Sequence, residues 1–543
     1  MTNAELSEAF NHIARLKELL DQEIFRVIAY QRTAIAIDKL TRPVSEMTPA
    51  EIETVLGKSM SQKAVDILKT GTLREWQELQ AQVPDSVLEM FEVPGLGVKK
   101  IRALWRDYEI DSRDKLKEKA SSGEFAKLPG FGSSMQEKVL SHFATKAANR
   151  GKLRFNHAER AFEAIELTIN THLPSASVVP TGQLSYFENT VNHIEAIVEL
   201  DNRDRTKLVN LFEPDPMQSG PDRLHFELPE SGTPVTLRLA KPGEGEAIGL
   251  LFSLPPEERA AKLSSASVNN GQFFIKASSP EREGLIKTIA PESVAGLVQQ
   301  NQIVGMLHCH STYSDGQETL ANMADRCLAL GYQYFGICDH SRTASYANGL
   351  SIETVEKQWL EIETINKTFS GFRILKGIES DILSDGALDY PDDILAGFEF
   401  VVASVHSNLT MNLVKATDRM LAAIHNPYTS ILGHPTGRLL LEREGYPLDW
   451  PVILEACATL GVVVELNASP YRLDIDYTIL QQAQETGCFV AINTDAHSFS
   501  GLNDIRYGIM AARRGGLLAE NVINTWQADR LLTFFQNRRK PHA

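Results

Sequence analysis

Seven short apolar runs in the last 240 or so residues end in polar side chains, most of which can bind metal. The runs are MLHCHS, YFGICDH, ILKGIES, FVVASVH, SILGHP, VVVELNAS (with Glu465 and Asn467) and FVAINTDAH. Such β-rich runs predict buried strands, and the carboxyl ends of successive parallel strands open at one common mouth. Six imidazoles and three carboxylates meeting there would be costly to desolvate without a cation. The predicted metal ligands are His308, His310, Asp315, His340, Glu379, His406, His434, Asp495 and His497.

The spacing of these residues supports one shared site. His308 and His310 lie two residues apart, as do Asp495 and His497, so each pair faces one side of a strand end. Mixed imidazole and carboxylate ligation suits zinc, manganese or iron and not calcium. Glu379 could bridge two ions, and clustered ions activate water and hold a phosphate oxygen. Any one of these side chains could instead be a hydrogen-bonded residue at a strand end, but the whole set favours a metal-dependent hydrolase. We expect four of its members among the catalytic groups, namely His308, His310, Glu379 and Asp495.

Helical stretches separate these strand-like runs, as in TLANMADRCLALG, VEKQWLEIETINKTF and ATDRMLAAIHN. A repeated βα pattern with seven units predicts a closed or nearly closed barrel over residues 303–543. The stretches HCHSTYSDG, DHSRTASYANGLS, KGIESDI, SVHSN, GHPTGRLL, ELNASPYRLD and NTDAHS closely resemble the PHP domain, a distorted seven-stranded (β/α)7 barrel. The resemblance implies three divalent metal ions on the nine residues above, phosphoester hydrolysis, and no organic cofactor.

Three arginines near the predicted mouth are candidates for holding phosphate, because guanidinium groups match phosphate geometry. Arg342, which we also expect among the catalytic residues, follows the DHS turn; Arg438 follows GHPTG; and Arg472 ends NASPYR. The alternative is that these arginines pair with carboxylates in neighbouring loops.

Residues 1–150 show helical periodicity and contain two Gly-x-Gly turns, each placed before a helix start. Gly95 and Gly97 precede Lys99 and Lys100 in the first, and the second contains Gly130 and Gly132. These turns resemble the helix-hairpin-helix motif, whose backbone N–H groups grip the DNA backbone without reading sequence. The alternative is a plain helix–helix junction with glycine at the cap. A further turn near Gly57, in VLGKSMSQKAV, reads as an eroded hairpin.

Residues 151–290 predict a small α/β or α+β domain, with strands in HIEAIVEL, RLHFEL and TPVTLRLA. The order of FRVIAYQRTA, two hairpins and a PHP-like domain resembles a bacterial family X DNA polymerase, which implies a nucleotidyltransferase-like fold here. That family carries a Gly-Ser step and three aspartates for two magnesium ions. This chain has Gln183, His193, Glu195 and Thr236 at those places, and FSLP near residue 253 replaces a second Gly-Ser step. Since magnesium requires hard oxygen ligands, we expect an inactive polymerase site.

The whole sequence has 543 residues, 43% hydrophobic and 23% charged, with a net charge of −16. The acidic balance argues against wholesale coating of nucleic acid but not against a local basic surface. No apolar run suits a membrane span or a signal peptide, which predicts a cytoplasmic protein without membrane contact.

Together these features predict a monomeric DNA-repair enzyme that shortens gapped, nicked or otherwise 3′-ended DNA. The family resemblance alone implies cleavage at abasic sites as an additional activity. An active polymerase with PHP proofreading, a small-molecule phosphomonoesterase and a non-enzymatic DNA scaffold remain as alternatives.

Overall fold

The computed structural model describes residues 3–38, 40, 42–245 and 296–539. It divides into two compact units, Met1–Ala148 and Asn149–Ala543. We propose that the larger unit contains both the predicted middle domain and the predicted barrel domain. The FSLP turn and most of the polar linker near residue 290 lie outside the described residues.

The smaller unit is helical throughout its described elements, as its periodicity predicts. Thr48 begins one helix with a capping box, in which its hydroxyl accepts from the Glu51 amide and the Glu51 carboxylate accepts from the Thr48 amide. Gly57, at φ 74°, separates two consecutive helices. The helices are Asn3–Leu19, Ile24–Asp38, Pro49–Leu56, Lys58–Thr70, Arg74–Gln80, Asp85–Leu88, Val98–Arg106, Arg113–Ser121 and Ser133–Ala148.

The larger unit begins with a region of mixed strands and helices. Its described strands are β1 (Leu153–Arg154), β2 (Ser177–Thr181), β3 (Thr190–Val191), β4 (Ile194–Glu199), β5 (Arg223–Glu227) and β6 (Pro234–Ala240), and its helices are Phe155–His172 and Arg205–Leu211. Four of these strands form a mixed sheet in the order β2-β4-β6-β5. The three predicted strands are confirmed as β4, β5 and β6, and β4 runs parallel to β6 with Glu195 opposite Thr236.

A ring of parallel strands follows, and it confirms the barrel-like carboxy-terminal fold. Its strands are β7 (Gly305–Cys309), β8 (Tyr334–Ile337), β9 (Arg373–Lys376), β10 (Glu379–Asp381), β11 (Val402–Ser404), β12 (Ile431–Leu432), β13 (Val463–Asn467) and β14 (Val490–Asn493). Strands β7–β9 form one parallel sheet and β10–β14 form another. A bridge from Cys309 to Ala496 joins the first strand to the end of the last, and a bridge from His340 to Glu379 joins the two sheets.

Helices lie between most of the strands of this ring, as the βα pattern predicts. They are Leu320–Ala329, Ile352–Asn366, Asp392–Leu395, Leu413–His425, Trp450–Leu460 and Tyr477–Thr486, and the helices Ile505–Arg514 and Ala528–Arg538 follow the last strand. Buried apolar side chains of the mixed sheet and many of those of the ring belong to one core, whereas others of the ring, such as Leu307, Tyr334 and Val463, form a separate cluster. Searching the helices of the described residues for a stretch long and apolar enough to cross a membrane finds none.

Candidate active site

The predicted ligands meet at the carboxyl end of the strand ring. His308 lies near the end of β7 and Glu379 begins β10. Most of the others lie in the turns that directly follow β7, β8, β11, β12 and β14, which is where parallel strands direct their polar ends. The backbone of two of them is left-handed, with φ of 24° at His434 and 54° at Asp495. Non-glycine residues hold this conformation only where surrounding structure imposes it.

Glu379 lies at the centre of the cluster, fully buried. Its Oε2 is 2.8 Å from His340 Nδ1, and its Oε1 is 2.9 Å from His434 Nε2. The same Oε1 lies 3.2 Å from His406 Nε2 and 3.4 Å from His308 Nε2. One carboxylate thus faces imidazoles that arise from four different strand ends.

Asp315 and Asp495 form a second focus of the cluster. His310 Nε2 lies 3.0 Å from Asp495 Oδ1, and His497 Nε2 lies 3.3 Å from Asp315 Oδ1. His340 connects the two foci, because its Nε2 lies 3.6 Å from Asp315 Oδ1 while its Nδ1 faces Glu379. The structure therefore brings all nine predicted residues together.

The charges of the cluster favour ionised carboxylates. Burial works to raise the pKa of Glu379, but the imidazoles of His406, His340 and His308 hold that pKa well below its usual range. Burial opposes ionisation of His406 as well, yet Glu379 raises its pKa to about 10. In contrast, burial lowers the pKa of His310 to about 3. Metal ions bind ionised carboxylates and neutral imidazoles, so an ion that bound His406 would displace a proton from its ring.

Unsatisfied buried atoms in the cluster fit divalent metal ions. His308 Nε2, His340 Nδ1 and Glu379 Oε2 are buried and have no hydrogen-bond partner. The 2.8 Å approach of His340 Nδ1 to Glu379 Oε2 therefore lacks hydrogen-bond alignment, as occurs when two ligand atoms converge on one cation. Three groups of side chains could each hold one ion, because the ligand atoms within each group lie within 4.8 Å of one another. The groups are His310, Asp315, His340 and His497; His308, His310 and Asp495; and His340, Glu379 and His406.

Two carboxylates that the ligand prediction left out orient the imidazoles. Asp381 Oδ1 lies 2.5 Å from His406 Nδ1, and Glu465 Oε2 lies 2.8 Å from His308 Nδ1. Each contact leaves the Nε2 atom of its histidine facing Glu379. Such outer partners fix the ring orientation of metal-binding histidines. The sequence held a signal for Asp381, because residues two apart on β10 share a face with Glu379.

The three candidate arginines have different surroundings. Arg472 is the nearest to the cluster, with its Nε 3.7 Å from Asp495 Oδ2. Arg438 donates to the Arg472 carbonyl and pairs with Asp476 at 2.8 Å, which is the alternative that the sequence left open. Arg342 pairs with buried Asp389 at 3.2 Å, although its side chain remains half exposed.

Tyr346 was not predicted. Its ring is 69% exposed, and its centroid lies 6.2 Å from that of His340 and 6.3 Å from that of His406. An exposed aromatic ring therefore borders the cluster on the side of these two histidines.

The four positions predicted to be degenerate make hydrogen bonds or ion pairs within the middle region. The Thr236 hydroxyl lies 2.9 Å from His193 Nε2 and 3.0 Å from His225 Nδ1. Glu195, the neighbour of Thr236 across β4 and β6, pairs with Arg238 at 3.4 Å. Burial, the largest influence, lowers the pKa of His193. Among the described residues, no metal-ligand group of this kind includes a residue of the mixed sheet.

The Gln183 side chain also forms hydrogen bonds within the middle region. Its side-chain carbonyl accepts hydrogen bonds from the backbone amides of Asn192 and His193, at 2.8 and 3.2 Å. At Gly182, with φ 62°, an added Cβ would lie 2.6 Å from a Glu195 carboxylate oxygen. The turn after β2 is therefore packed against the strand that carries the paired positions.

The two predicted hairpins of the smaller unit form helix starts. Gly95 and Gly130 have φ of 84° and 85°, and helices begin directly after Gly97 and Gly132. No side chain caps the helix that follows Gly97. Lys99 is exposed, whereas Lys100 donates to the Gly95 carbonyl at 3.2 Å. Both turns therefore present exposed backbone at a helix N-terminus.

Comparison with known families and proteins agrees with this architecture. A helix-hairpin-helix domain model matches residues 1–73, and a PHP domain model matches residues 306–468. The first match covers the turn at Gly57 that the sequence reading took as eroded, and it precedes the two predicted hairpins.

Relatives match either the whole chain or its carboxy-terminal part. Probable phosphatases of Caldanaerobacter subterraneus and Escherichia coli O81 are 27% and 24% identical over 39% and 43% of this chain, which is 89% and 94% of each relative. The DNA polymerase/3′-5′ exonuclease PolX of Bacillus subtilis is 32% identical over 96% of this chain and 97% of its own length. The chain therefore belongs to the PolX family of DNA polymerases, family X, with a helix-hairpin-helix region and a carboxy-terminal PHP domain.

Proposed function

We propose that this chain is a metal-dependent phosphodiesterase that removes nucleotides from DNA 3′ ends and that its polymerase module does not synthesise DNA. The observation that carries the proposal is the convergence of four imidazoles on the buried Glu379 carboxylate, with unsatisfied ligand atoms between them. The Bacillus subtilis relative is named as a DNA polymerase and 3′-5′ exonuclease, which supports this activity. Abasic-site cleavage and a role in repair are part of the same proposal.

We propose three divalent ions, of zinc, manganese or iron, held by the three ligand groups together with His434. When bound, such ions neutralise a phosphate and activate water. The chain's own residues then set the geometry: Asp381 and Glu465 hold their histidines in one orientation. Arg472 places a guanidinium beside Asp495, where it can donate to a phosphate oxygen.

The closed contacts of the middle region support an inactive polymerase site. Two magnesium ions would require several carboxylate oxygens in near-octahedral geometry. Thr236 supplies a single hydroxyl, already placed between two imidazoles, and Glu195 is paired with Arg238. We infer that this region keeps the fold of a polymerase without its chemistry.

Two findings support DNA as the substrate. The smaller unit contains helix-hairpin-helix turns, and the Bacillus subtilis relative is named as a DNA polymerase and 3′-5′ exonuclease. Helix-hairpin-helix turns hold the DNA backbone through amides at helix starts. Gly95, Gly97, Gly130 and Gly132 provide two such starts, and Lys99 adds an exposed cation. We propose that the chain acts on DNA as a monomer.

A gapped DNA primer labelled at its 5′ end tests the proposal, in the presence of nucleotides and manganese. The wild-type chain should shorten the primer, and a His308→Ala, His310→Ala variant should leave it intact. A matched His193→Ala, Glu195→Ala variant should shorten it at the wild-type rate. A primer that wild type and the His308→Ala, His310→Ala variant both lengthen would refute the inactive-polymerase proposal.

A phosphomonoesterase is the second candidate, favoured by the phosphatase names of relatives that match the carboxy-terminal part. A panel of phosphomonoesters beside the labelled primer separates the two. Faster turnover of a monoester than of the primer would support the phosphatase. The DNA-binding features of the smaller unit favour the phosphodiesterase.

A further inference from the structure

Tyr471 lies directly before Arg472 in the turn that borders the metal-ligand cluster. Its side chain is 45% exposed. The guanidinium carbon of Arg154 lies 4.4 Å from its ring centroid, over one face. The His157 ring approaches edge-on at 6.3 Å, with an interplanar angle of 89°. The ring is thus backed by two residues of the middle region while nearly half of the side chain remains open to solvent.

The residues around Tyr471 hold it in place. Arg154 donates through Nε to the Leu440 carbonyl at 3.1 Å and forms an ion pair with Glu442. The Leu440 amide in turn donates to the Tyr471 carbonyl at 2.7 Å. The backbone turn is closed by an Arg472 amide bond to the Ser469 carbonyl at 2.8 Å. A base that stacked on this ring would therefore meet a surface that is already ordered, which lowers the entropy cost of binding.

Arg472 connects this aromatic surface to the cluster. Its Nε lies 3.7 Å from Asp495 Oδ2, and its side chain is 19% exposed. Tyr471 and Arg472 are neighbours in the same turn, so the aromatic ring and the guanidinium are anchored on adjacent Cα atoms about 3.8 Å apart. A second cation, Arg154, lies beside the ring itself. These cations stand out in a chain whose net charge is −16.

We propose that Tyr471 is a stacking platform for one base of a single-stranded DNA end, with Arg472 holding the adjacent phosphate at the metal-ligand cluster. This inference rests on the proposed phosphodiesterase function and specifies the form of its substrate. Aromatic rings beside a cationic groove bind single strands with little sequence preference, because every base has a stacking face. Arg154 and His157 are positioning residues that keep the ring in place.

The test compares full-length wild type with Tyr471→Leu and Tyr471→Phe. The first readout is the cleavage of a single-stranded oligonucleotide, with KM and kcat determined separately. The second is the hydrolysis of bis(p-nitrophenyl) phosphate, a diester without a base. The third is the quenching of 2-aminopurine, placed next to the 3′-terminal nucleotide, in metal-free buffer where no cleavage occurs.

Tyr471→Leu should raise KM for the oligonucleotide about tenfold, the range of one lost base–aromatic stack. It should abolish the quenching and leave kcat for the oligonucleotide within about twofold of wild type, because the ring acts in binding. Tyr471→Phe should retain wild-type KM and quenching, since the ring remains. An unchanged KM and unchanged quenching in Tyr471→Leu would overturn the proposal. If wild type hydrolyses neither diester, the phosphodiesterase function fails, and the quenching comparison still decides whether Tyr471 stacks on a base.

Discussion

Two groups of polar residues in the larger unit differ in their hydrogen bonding. One is the metal-ligand cluster of the PHP domain, and the other lies on or next to strands β4 to β6 of the middle sheet. In the PHP domain, His308 Nε2 and Glu379 Oε2 are buried without hydrogen-bond partners. In the middle sheet, Thr236 contacts both His193 and His225, and Glu195 contacts Arg238. Both regions belong to one compact unit and contribute to one core. The difference therefore lies in the polar contacts and not in burial alone.

This contrast separates a cluster with unpaired ligand atoms from a group of polar side chains that hydrogen-bond to one another. Buried polar atoms are normally paired, so a cluster of unpaired ones on converging imidazoles and carboxylates implies an absent partner. A cation of suitable charge supplies that partner. Where substitutions let side chains satisfy each other, as Thr236 does for two imidazoles, the same strand ends need no ion.

Replacing Glu379 with glutamine should reduce the exonuclease rate more than any other single substitution proposed here. The isosteric change removes a buried charge that four imidazoles face, so the exonuclease rate should fall at least about a hundredfold, beyond the effect usual for outer partners. Initial rates on a 5′-labelled primer at saturating manganese measure the effect. Glu195→Gln, the matched change in the middle sheet, should stay within about twofold of wild type. A tenfold or smaller loss in Glu379→Gln would mean that this carboxylate is not central.

Asp381→Asn should have the next largest effect. The carboxylate orients His406 across 2.5 Å, and the loss of such outer partners usually weakens metal binding by about 10–100-fold. Calorimetric titration of the metal-free chain with manganese or zinc gives the affinity. Exposed Asp385 lies in the loop after the same strand, and Asp385→Asn serves as the control. Equal affinities in the two variants would remove Asp381 from the site.

Removing metal should lower thermal stability. Ions at roughly 100 times their Kd stabilise the folded state by about 2.7 kcal/mol, so a chelator should reduce Tm by about 3–5 °C. Differential scanning calorimetry before and after dialysis against a chelator measures this shift. The His308→Ala, His310→Ala variant should show a much smaller shift. A full-sized shift in that variant would place the stabilising ion elsewhere.

Thr236→Val should have the smallest effect, on stability alone. Valine fills a similar volume but leaves His193 and His225 without their shared partner, which should cost about 1–2 kcal/mol. Urea denaturation of the full chain measures the loss. Exonuclease rates should remain unchanged, because the middle sheet closes on itself. Lost exonuclease activity without lost stability would contradict the closed-network interpretation.

The sequence predicted the positions of the ligand set well, because strand ends in a parallel ring obey a simple rule. His308, Glu379 and Asp495 each follow or end an apolar run, and the period of the strand fixes the side that they face. The helices of the smaller unit and the strands β4, β5 and β6 also follow from local periodicity. The metal-binding role of the ligand set stays a prediction.

The sequence could not assign the arginines or the junction with the middle region. Arg438 donates to the Arg472 carbonyl, a contact that depends on the conformation of two loops far apart in the chain. Arg154 reaches Tyr471 across more than 300 residues of sequence. Such contacts arise from tertiary packing, and no local pattern encodes them.

The metal content of the purified full chain tests the central claim most directly. Elemental analysis after dialysis would compare wild type, His308→Ala with His310→Ala, and His193→Ala with Glu195→Ala. We expect up to three divalent ions per chain in wild type, a clear loss in the first double variant, and the wild-type content in the second. Metal lost from the variant of the middle sheet and retained in the variant of the strand ring would contradict the account.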